Sequence, residues 1–111
     1  MPGASDLLLE GIADGHKIAL KIPATALNPE TGGAVIGRNP REAAFVVNRP
    51  ELSRRHCKVY ISGGQMMVED LDSMNGTFVN GKRVAGAAAA FNEADTLGLA
   101  NLTLSVKKVR S

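Results

Sequence analysis

Closely spaced turn signals divide this chain into short segments, and this spacing restricts its fold more than any other feature of the sequence. Asn80-Gly81 is the strongest short-range signal for a hairpin, and Gly63-Gly64 is a second two-residue connection. Several segments between the turns alternate apolar and polar residues, which is typical of half-buried strands. The predicted strands lie at residues 17–22, 34–36, 45–47, 57–62, 65–70, 77–79, 82–84, 95–99 and 102–107.

Residues 86–92 are the one segment that competes as a helix, because they contain four consecutive alanines. An isolated helix of this length is marginal in water, so we predict a loop with at most one turn. No segment shows the strand–helix–strand rhythm of a parallel sheet. The sequence therefore predicts an all-β sandwich or barrel. The alternation of Cys57, Val59 and Ile61 with polar residues predicts that Cys57 faces the core.

The composition is that of one globular domain. The 111 residues support a single core, and hydrophobic and charged residues make up an ordinary 44% and 22%. The net charge of +2 favours neither a nucleic-acid nor a membrane partner. Cys57 is the only cysteine, so no intrachain disulfide forms and a reducing compartment is expected. Residues 7–9 are too short for the core of a signal peptide, and we predict a cytoplasmic location.

Three motifs lie at predicted strand ends or turns: Gly37-Arg38, Ser53-Arg54-Arg55-His56 and Ser73-Met74-Asn75-Gly76-Thr77. Together they supply a guanidinium, a hydroxyl, a backbone N–H donor and a carboxamide. These groups suit a bound phosphate and the peptide backbone beside it, because a guanidinium fork matches phosphate oxygens. They do not suit bond breaking.

Each motif alone also has an ordinary structural explanation. Arg38 could be a surface arginine after a turn glycine, and Asn75-Gly76 could be a simple turn. Ser53 and His56 resemble a pair for nucleophilic catalysis, but the chain has no nucleophile elbow, and we expect His56 to bond loop backbone. No His or Cys residues stand at metal-ligand spacing around Cys57, so we predict no catalytic residue, metal or cofactor.

In their order and spacing, these motifs resemble the forkhead-associated (FHA) domain family. The resemblance runs through residues 34–84, with a motif core of about 33–99, and residues 92–98 are similar to the acidic turn before the family's penultimate strand. It implies that residues 1–111 form one FHA-like β-sandwich of about eleven strands in two mostly antiparallel sheets. It also implies a non-enzymatic signalling module that binds a phosphothreonine segment made by a Ser/Thr kinase.

The resemblance assigns a role to each motif residue. Arg38 is expected to hold the phosphate, and Ser53 to donate its hydroxyl to a phosphate oxygen. Arg54 is expected to add its backbone N–H and its side chain, and Asn75 to bond the main chain of the peptide. The other expected positions are the loop-shaping residues Gly37, His56 and Gly76, and the secondary contacts Arg55, Met74 and Asn80.

Two positions depart from the family pattern. Met74 stands where many members carry Thr or Ser, so the site has one fewer possible donor to phosphate. Glu51 stands in a loop where some members place a basic residue, which argues against selection of Asp at the third peptide position after the phosphothreonine. The basic residues Arg49, Arg54, Arg55, Lys82 and Arg83 could still favour acidic peptides.

Three other functions compete with this interpretation. A phosphate-independent interaction domain would bind its partner through a face of the sandwich. An enzyme is disfavoured, because Asp70 and Asp72 lie in a turn and no glycine-rich phosphate loop precedes a helix. A nucleic-acid binder would need aromatic platforms among its basic residues, which this sequence lacks.

Overall fold

The computed structural model describes residues 5–110 and contains eleven strands and two short 3₁₀ helices. The strands are β1 (Ser5–Ala13), β2 (His16–Ile22), β3 (Ala34–Gly37), β4 (Phe45–Val46), β5 (Cys57–Ser62), β6 (Gln65–Asp70), β7 (Thr77–Val79), β8 (Lys82–Arg83), β9 (Ala89–Phe91), β10 (Thr96–Leu99) and β11 (Leu102–Arg110). The 3₁₀ helices, Ala24–Leu27 and Pro29–Thr31, lie between β2 and β3.

The strands form two sheets. One has six strands in the order β2-β1-β11-β10-β7-β8, and the other has five in the order β4-β3-β5-β6-β9. Only the β3–β4 pair is parallel among the described strand pairs. The predicted all-β sandwich of about eleven strands in two mostly antiparallel sheets is confirmed.

Alternate residues of both sheets build one core. Leu9, Ile36, Val59 and Leu104 are among its fully buried side chains. Cys57 is also buried, as predicted, and burial raises the pKa of its thiol far above the ordinary value. Because the thiolate is the reactive form, this cysteine is an inert core residue.

Both predicted two-residue hairpins are present. Gly63 and Gly64 have φ of 58° and 80°, and Asn80 and Gly81 have φ of 50° and 80°. Positive φ at both central residues is the geometry of a type I′ turn, whose twist matches that of the flanking strands. These turns fix the register of β5 with β6 and of β7 with β8.

The structure corrects two parts of the strand prediction. Residues 86–92 are not only a loop, because Ala89–Phe91 form β9, where Phe91 is fully buried opposite Met66. The prediction also omitted β1, whose run of three leucines hides the alternation. Leu7 and Leu9 face the core, whereas Leu8 is partly exposed between β2 and β11.

Other predicted boundaries shift by a few residues at strand ends. Within residues 5–110, no helix is both long and apolar enough to cross a bilayer.

Candidate functional site

Three loops meet at one end of the sandwich, following β3, preceding β5 and following β6. The Arg38 N–H donates to the Ser53 carbonyl at 3.0 Å, which joins the first loop to the second. The Leu71 N–H donates to the His56 carbonyl at 3.0 Å, which joins the second to the third. The three predicted motifs are therefore brought together in space.

Arg38 is exposed at the end of β3, and its position is set by backbone contacts. Its Nε donates to the Leu52 carbonyl at 3.0 Å. Neither terminal nitrogen of its guanidinium has an acidic partner among the described residues. A phosphate could therefore receive two parallel hydrogen bonds from this side chain.

Gly37 permits the close approach of the first two loops. A Cβ atom at this position would lie 2.0 Å from the Arg54 carbonyl oxygen, which is far inside a possible contact. Any side chain at residue 37 would therefore push Arg54 away and separate Arg38 from Ser53.

Ser53 and Arg54 supply donors beside Arg38. The Ser53 Oγ accepts a hydrogen bond from the Met74 N–H at 3.0 Å, so its own proton remains for an acceptor in the groove. The Arg54 side chain is exposed, with its Nε 3.7 Å from a carboxylate oxygen of Glu42. An exposed pair at this distance is weak and leaves the guanidinium able to turn toward another anion.

Asn75 is exposed on the third loop, and a hydrogen bond to the second loop holds its side chain. Its Nδ2 donates to the Glu51 carbonyl at 2.8 Å. This bond identifies the nitrogen side of the carboxamide and leaves Oδ1 facing solvent as an acceptor. A carboxamide held in this way can bond a peptide main chain.

His56 is fully buried and joins two of the loops through both ring nitrogens. Its Nδ1 accepts a hydrogen bond from the Ser53 N–H at 3.1 Å, and its Nε2 lies 2.8 Å from the Gly76 carbonyl, to which it donates. These two bonds require the neutral ring with its proton on Nε2. Burial lowers the pKa of His56 below its ordinary value, against the opposing effects of the Gly76 carbonyl and Asp70.

Asp70 organises the third loop, a role that the sequence analysis did not assign. Its carboxylate accepts hydrogen bonds from the Ser73 hydroxyl, from the Ser73 N–H at 3.1 Å and from the Thr77 hydroxyl at 2.7 Å. Ser73 in turn accepts from the Gly76 N–H at 3.0 Å. Partial burial alone would raise the pKa of Asp70, but these bonds outweigh it and the pKa is lowered. The carboxylate therefore stays ionised.

Gly76 completes the third loop with a φ of 91°, in the left-handed region that favours glycine. This conformation directs its carbonyl to His56 and its N–H to Ser73. The loop is thus held by side chains that precede it, lie within it and follow it. Within the described residues, every buried side-chain nitrogen or oxygen has a hydrogen-bond partner.

A groove of about 690 Å³ runs between these loops. Its walls are basic on balance, and it is lined by Arg38, Glu42, Ser53, Arg54, Arg55, Asp72 and Met74. Met74 is 84% exposed there, which is more than any other large apolar residue that the structure describes. The groove therefore combines anion-binding groups with one flexible apolar side chain.

Arg49 and Glu51 form an ion pair at one side of the site. Arg49 also contacts Asp14, with its Nη1 3.0 Å from the carboxylate. The bond from Arg49 lowers the pKa of Glu51, and both carboxylates raise the pKa of Arg49. Arg49 is therefore occupied within the chain, and the suggestion that it favours acidic peptides is not supported.

Asn80 lies in the β7–β8 turn. Its side chain forms hydrogen bonds with Thr96, the first residue of β10, and with Asp95, in the turn that precedes β10. Its Oδ1 accepts from the Thr96 N–H at 2.9 Å, and its Nδ2 donates to Asp95 at 3.0 Å. The same Asp95 accepts from the Asn92 N–H at 2.8 Å, and the two bonds lower the pKa of Asp95. Both ends of the Asn80 carboxamide thus serve the turn.

The site contains no arrangement that would suit a metal ion. In the part of the chain that the structure describes, no three His, Cys, Asp or Glu residues converge as ligands. The groove instead presents hydrogen-bond donors, which suit an anionic ligand.

Comparison with known proteins agrees with this geometry. The sequence profile described as "FHA domain" matches residues 34–99. The glycogen accumulation regulator GarA of Mycolicibacterium smegmatis is 31% identical over 100 residues, which cover 88% of this chain. The chain spans 57% of the length of that relative.

Solved structures share the fold. The FHA domain of the CT664 protein from Chlamydia trachomatis superposes with a TM-score of 0.74 at 20% identity, covering 96% of this chain and 98% of that one. The yeast Dun1 FHA domain, in complex with a doubly phosphorylated (pT) peptide derived from Rad53 SCD1, gives 0.74 at 19% identity, covering 100% and 79%. The profile match, the two-sheet topology and the three clustered motifs together place this chain in the FHA domain family.

Proposed function

We propose that this domain is a non-enzymatic binding module that captures a phosphothreonine-bearing segment of a partner protein. The observation that carries the proposal is the arrangement of Arg38, Ser53 and Asn75. Each is held by a hydrogen bond to a neighbouring loop. Arg38 and Ser53 line the groove, and Asn75 is exposed on the third loop next to Met74, which also lines it.

The charges of the groove suit this ligand. A phosphothreonine carries about −1.5 to −2 charge at neutral pH and three acceptor oxygens. Arg38 can offer its two terminal nitrogens, and Ser53 can offer its hydroxyl. Arg54 offers its exposed guanidinium, and its backbone N–H has no acceptor among the described residues. These donors are sufficient to saturate one phosphate.

The peptide main chain then lies across Asn75. Its Oδ1 would accept a backbone N–H next to the phosphothreonine and so fix the register of the segment. Arg55, which lines the groove, would add favourable charge for acidic neighbours. The yeast Dun1 FHA domain, whose structure was solved with a doubly phosphorylated (pT) peptide, supports the same ligand class. A Ser/Thr kinase would produce such a ligand. We also propose that the domain is located in the cytoplasm, because a Ser/Thr kinase that makes this ligand would act there.

Calorimetry with a matched pair of peptides tests the proposal. A phosphothreonine-oriented peptide library would supply the sequence, which would then be made with and without the phosphate. We expect a dissociation constant of roughly micromolar for the phosphopeptide, about −8 kcal/mol, and binding at least tenfold weaker without phosphate. Equal affinity for the two peptides would reject this function in favour of a phosphate-independent interaction domain.

A further inference from the structure

The edge of the six-stranded sheet offers a second binding surface. It lies beside the start of the β4–β5 loop and shares no lining residue with the groove at Arg38 and Ser53. β2 is the terminal strand of this sheet, and among the strands that the structure describes it pairs only with β1. It is seven residues long, whereas β4, β8 and β9 are two or three residues long. A long unpaired edge is a template for another strand.

The register shows which backbone groups of β2 are free. Asp14 and Gly15, with φ of 52° and 76°, form a two-residue turn between Ala13 and His16. In such a hairpin the residues flanking the turn exchange both backbone hydrogen bonds, and the bonded pairs then alternate. Therefore Lys17, Ala19 and Lys21 direct their N–H and C=O groups away from β1.

These backbone groups have no other partner in the described chain. The backbone hydrogen bonds outside the strands include none from Lys17, Ala19 or Lys21. All three side chains are exposed on the outer face of the sheet. Their free groups could therefore pair with an added strand.

A groove of about 570 Å³ runs along this edge. Its floor includes Ile18 and Leu20 of β2, and its far wall is the segment from Val46 to Arg49. Val46 belongs to β4, an edge strand of the second sheet, and is 37% exposed. A strand laid beside β2 would direct alternate side chains into this space, against Ile18 and Val46.

The charges on β2 indicate the kind of strand that would fit. Lys17 and Lys21 contact Glu10 and Asp6 at 2.9 and 3.8 Å, but their side chains are 69% and 61% exposed. Such pairs are weak and can exchange partners. Acidic side chains on the outer face of an added strand would lie directly beside these lysines, which is a favourable cross-strand arrangement.

A second copy of this chain fits the edge less well. In the fully overlapping antiparallel register, centred on Ala19, Lys17 of each copy would lie opposite Lys21 of the other. Like charges placed directly opposite each other destabilise a sheet. We therefore propose that β2 binds an extended segment of a partner protein that alternates apolar and acidic residues, by strand addition.

Nuclear magnetic resonance with a designed peptide tests this proposal on the whole domain. The probe is a seven-residue peptide with blocked ends that alternates glutamate and valine. We expect its addition to shift the amide signals of Lys17, Ala19 and Lys21 and to slow their hydrogen exchange at least about tenfold. A control peptide of the same composition, N-methylated at alternate backbone positions, should produce neither effect, because it cannot form the ladder.

Two variants sharpen the test. The double variant Lys17→Glu with Lys21→Glu should no longer bind the glutamate–valine peptide. It should instead bind a peptide that alternates lysine and valine. Arg38→Ala should leave strand binding unchanged, which separates this surface from the phosphopeptide groove. The proposal would be overturned by shifts located elsewhere or by equal binding of the N-methylated peptide. It would also be overturned if the amide signals did not change up to about 1 mM peptide. A further contradicting result would be protection of the same amides by self-association of the domain without peptide.

Discussion

The two connections at the ends of β6 are built in different ways. Before β6, Gly63-Gly64 turns the chain with backbone conformation alone, and both residues are exposed. After β6, residues 71–76 form a longer loop that depends on side chains. Asp70 and His56 hold this loop through hydrogen bonds to Ser73, Thr77 and Gly76.

This difference separates two groups of residues at the binding end. The bracing residues, His56, Asp70, Ser73 and Thr77, bond within the protein and are wholly or partly buried. The contact residues, Arg38, Ser53, Met74 and Asn75, present groups to the groove or to solvent. Changing a bracing residue should reduce stability first and binding as a consequence. Changing a contact residue should reduce binding and leave stability nearly unchanged.

The largest loss of stability is expected for His56→Ala. The change leaves the Ser53 N–H and the Gly76 carbonyl without their partner in a buried place. An unsatisfied buried group costs about 1–3 kcal/mol, so the free energy of unfolding should fall by at least that amount. Urea denaturation measures it, with His16→Ala at the exposed histidine as the control. Normal stability with lost binding would instead show that His56 contacts the ligand.

A smaller loss is expected for Asp70→Asn. The new amide would keep one acceptor oxygen where the carboxylate has two, and it would remove the charge that two hydroxyls now stabilise. The free energy of unfolding should fall by about 1–2 kcal/mol. Asp72→Asn is the matched control, because Asp72 is exposed in the same loop with a φ of 56°, which asparagine tolerates. Similar losses for both variants would contradict the bracing role of Asp70.

Met74→Thr tests the contact residues by adding a hydrogen-bond donor rather than by removing one. A threonine hydroxyl at this position would add a donor to the phosphate, and we expect a gain of roughly threefold to tenfold in phosphopeptide affinity. The affinity for the unphosphorylated peptide should not change. Met74 is 84% exposed, so the melting temperature should change little. Weaker binding by this variant, with Met74→Leu tolerated, would show that the thioether packs against the peptide.

The stability of the domain should also depend on pH, and this effect should be smaller than those of the variants above. The pKa of His56 is lowered in the folded protein, so the unfolded chain binds its proton first as the pH falls below 6.5. The contribution of His56 to the free energy of unfolding is therefore complete above pH 6.5. It decreases as the pH falls toward the lowered pKa of His56. Melting temperatures between pH 7.5 and 5 measure this decrease, which should be smaller in His56→Asn and unchanged in His16→Ala. An equal decrease in all three proteins would exclude His56 as its source.

The sequence predicted those parts of the molecule that depend on local signals. Asn80-Gly81 and Gly63-Gly64 fix their hairpins by conformation alone, and the alternation at Cys57 shows which side faces the core. β9 was missed because the pairing of Phe91 with Met66, across the sheet, decides its structure. β1 was missed because Leu8 interrupts the apolar–polar alternation between two strands that cover it.

In the candidate site, too, the residues that local motifs indicate were predicted, and the contacts that depend on the three-dimensional structure were not. Arg38, Ser53 and Asn75 follow from motifs whose order and spacing are visible in the sequence. The bonds of Asp70 to Ser73 and Thr77 depend on the loop geometry, although the short spacing of these three polar residues was a usable signal. The pairing of Arg49 with Asp14 joins residues 35 positions apart, and no local pattern indicates it.

Calorimetry of Arg38→Ala with the phosphorylated and unphosphorylated peptides tests most directly whether Arg38 holds the phosphate. Arg41→Ala is the control, an exposed arginine of the same loop that does not line the groove. We predict that Arg38→Ala weakens phosphopeptide binding at least about 100-fold, or ~2.7 kcal/mol, with an unchanged melting temperature. Arg41→Ala should bind like the parent domain. Phosphopeptide affinity retained by a fully folded Arg38→Ala domain would show that Arg38 does not hold the phosphate.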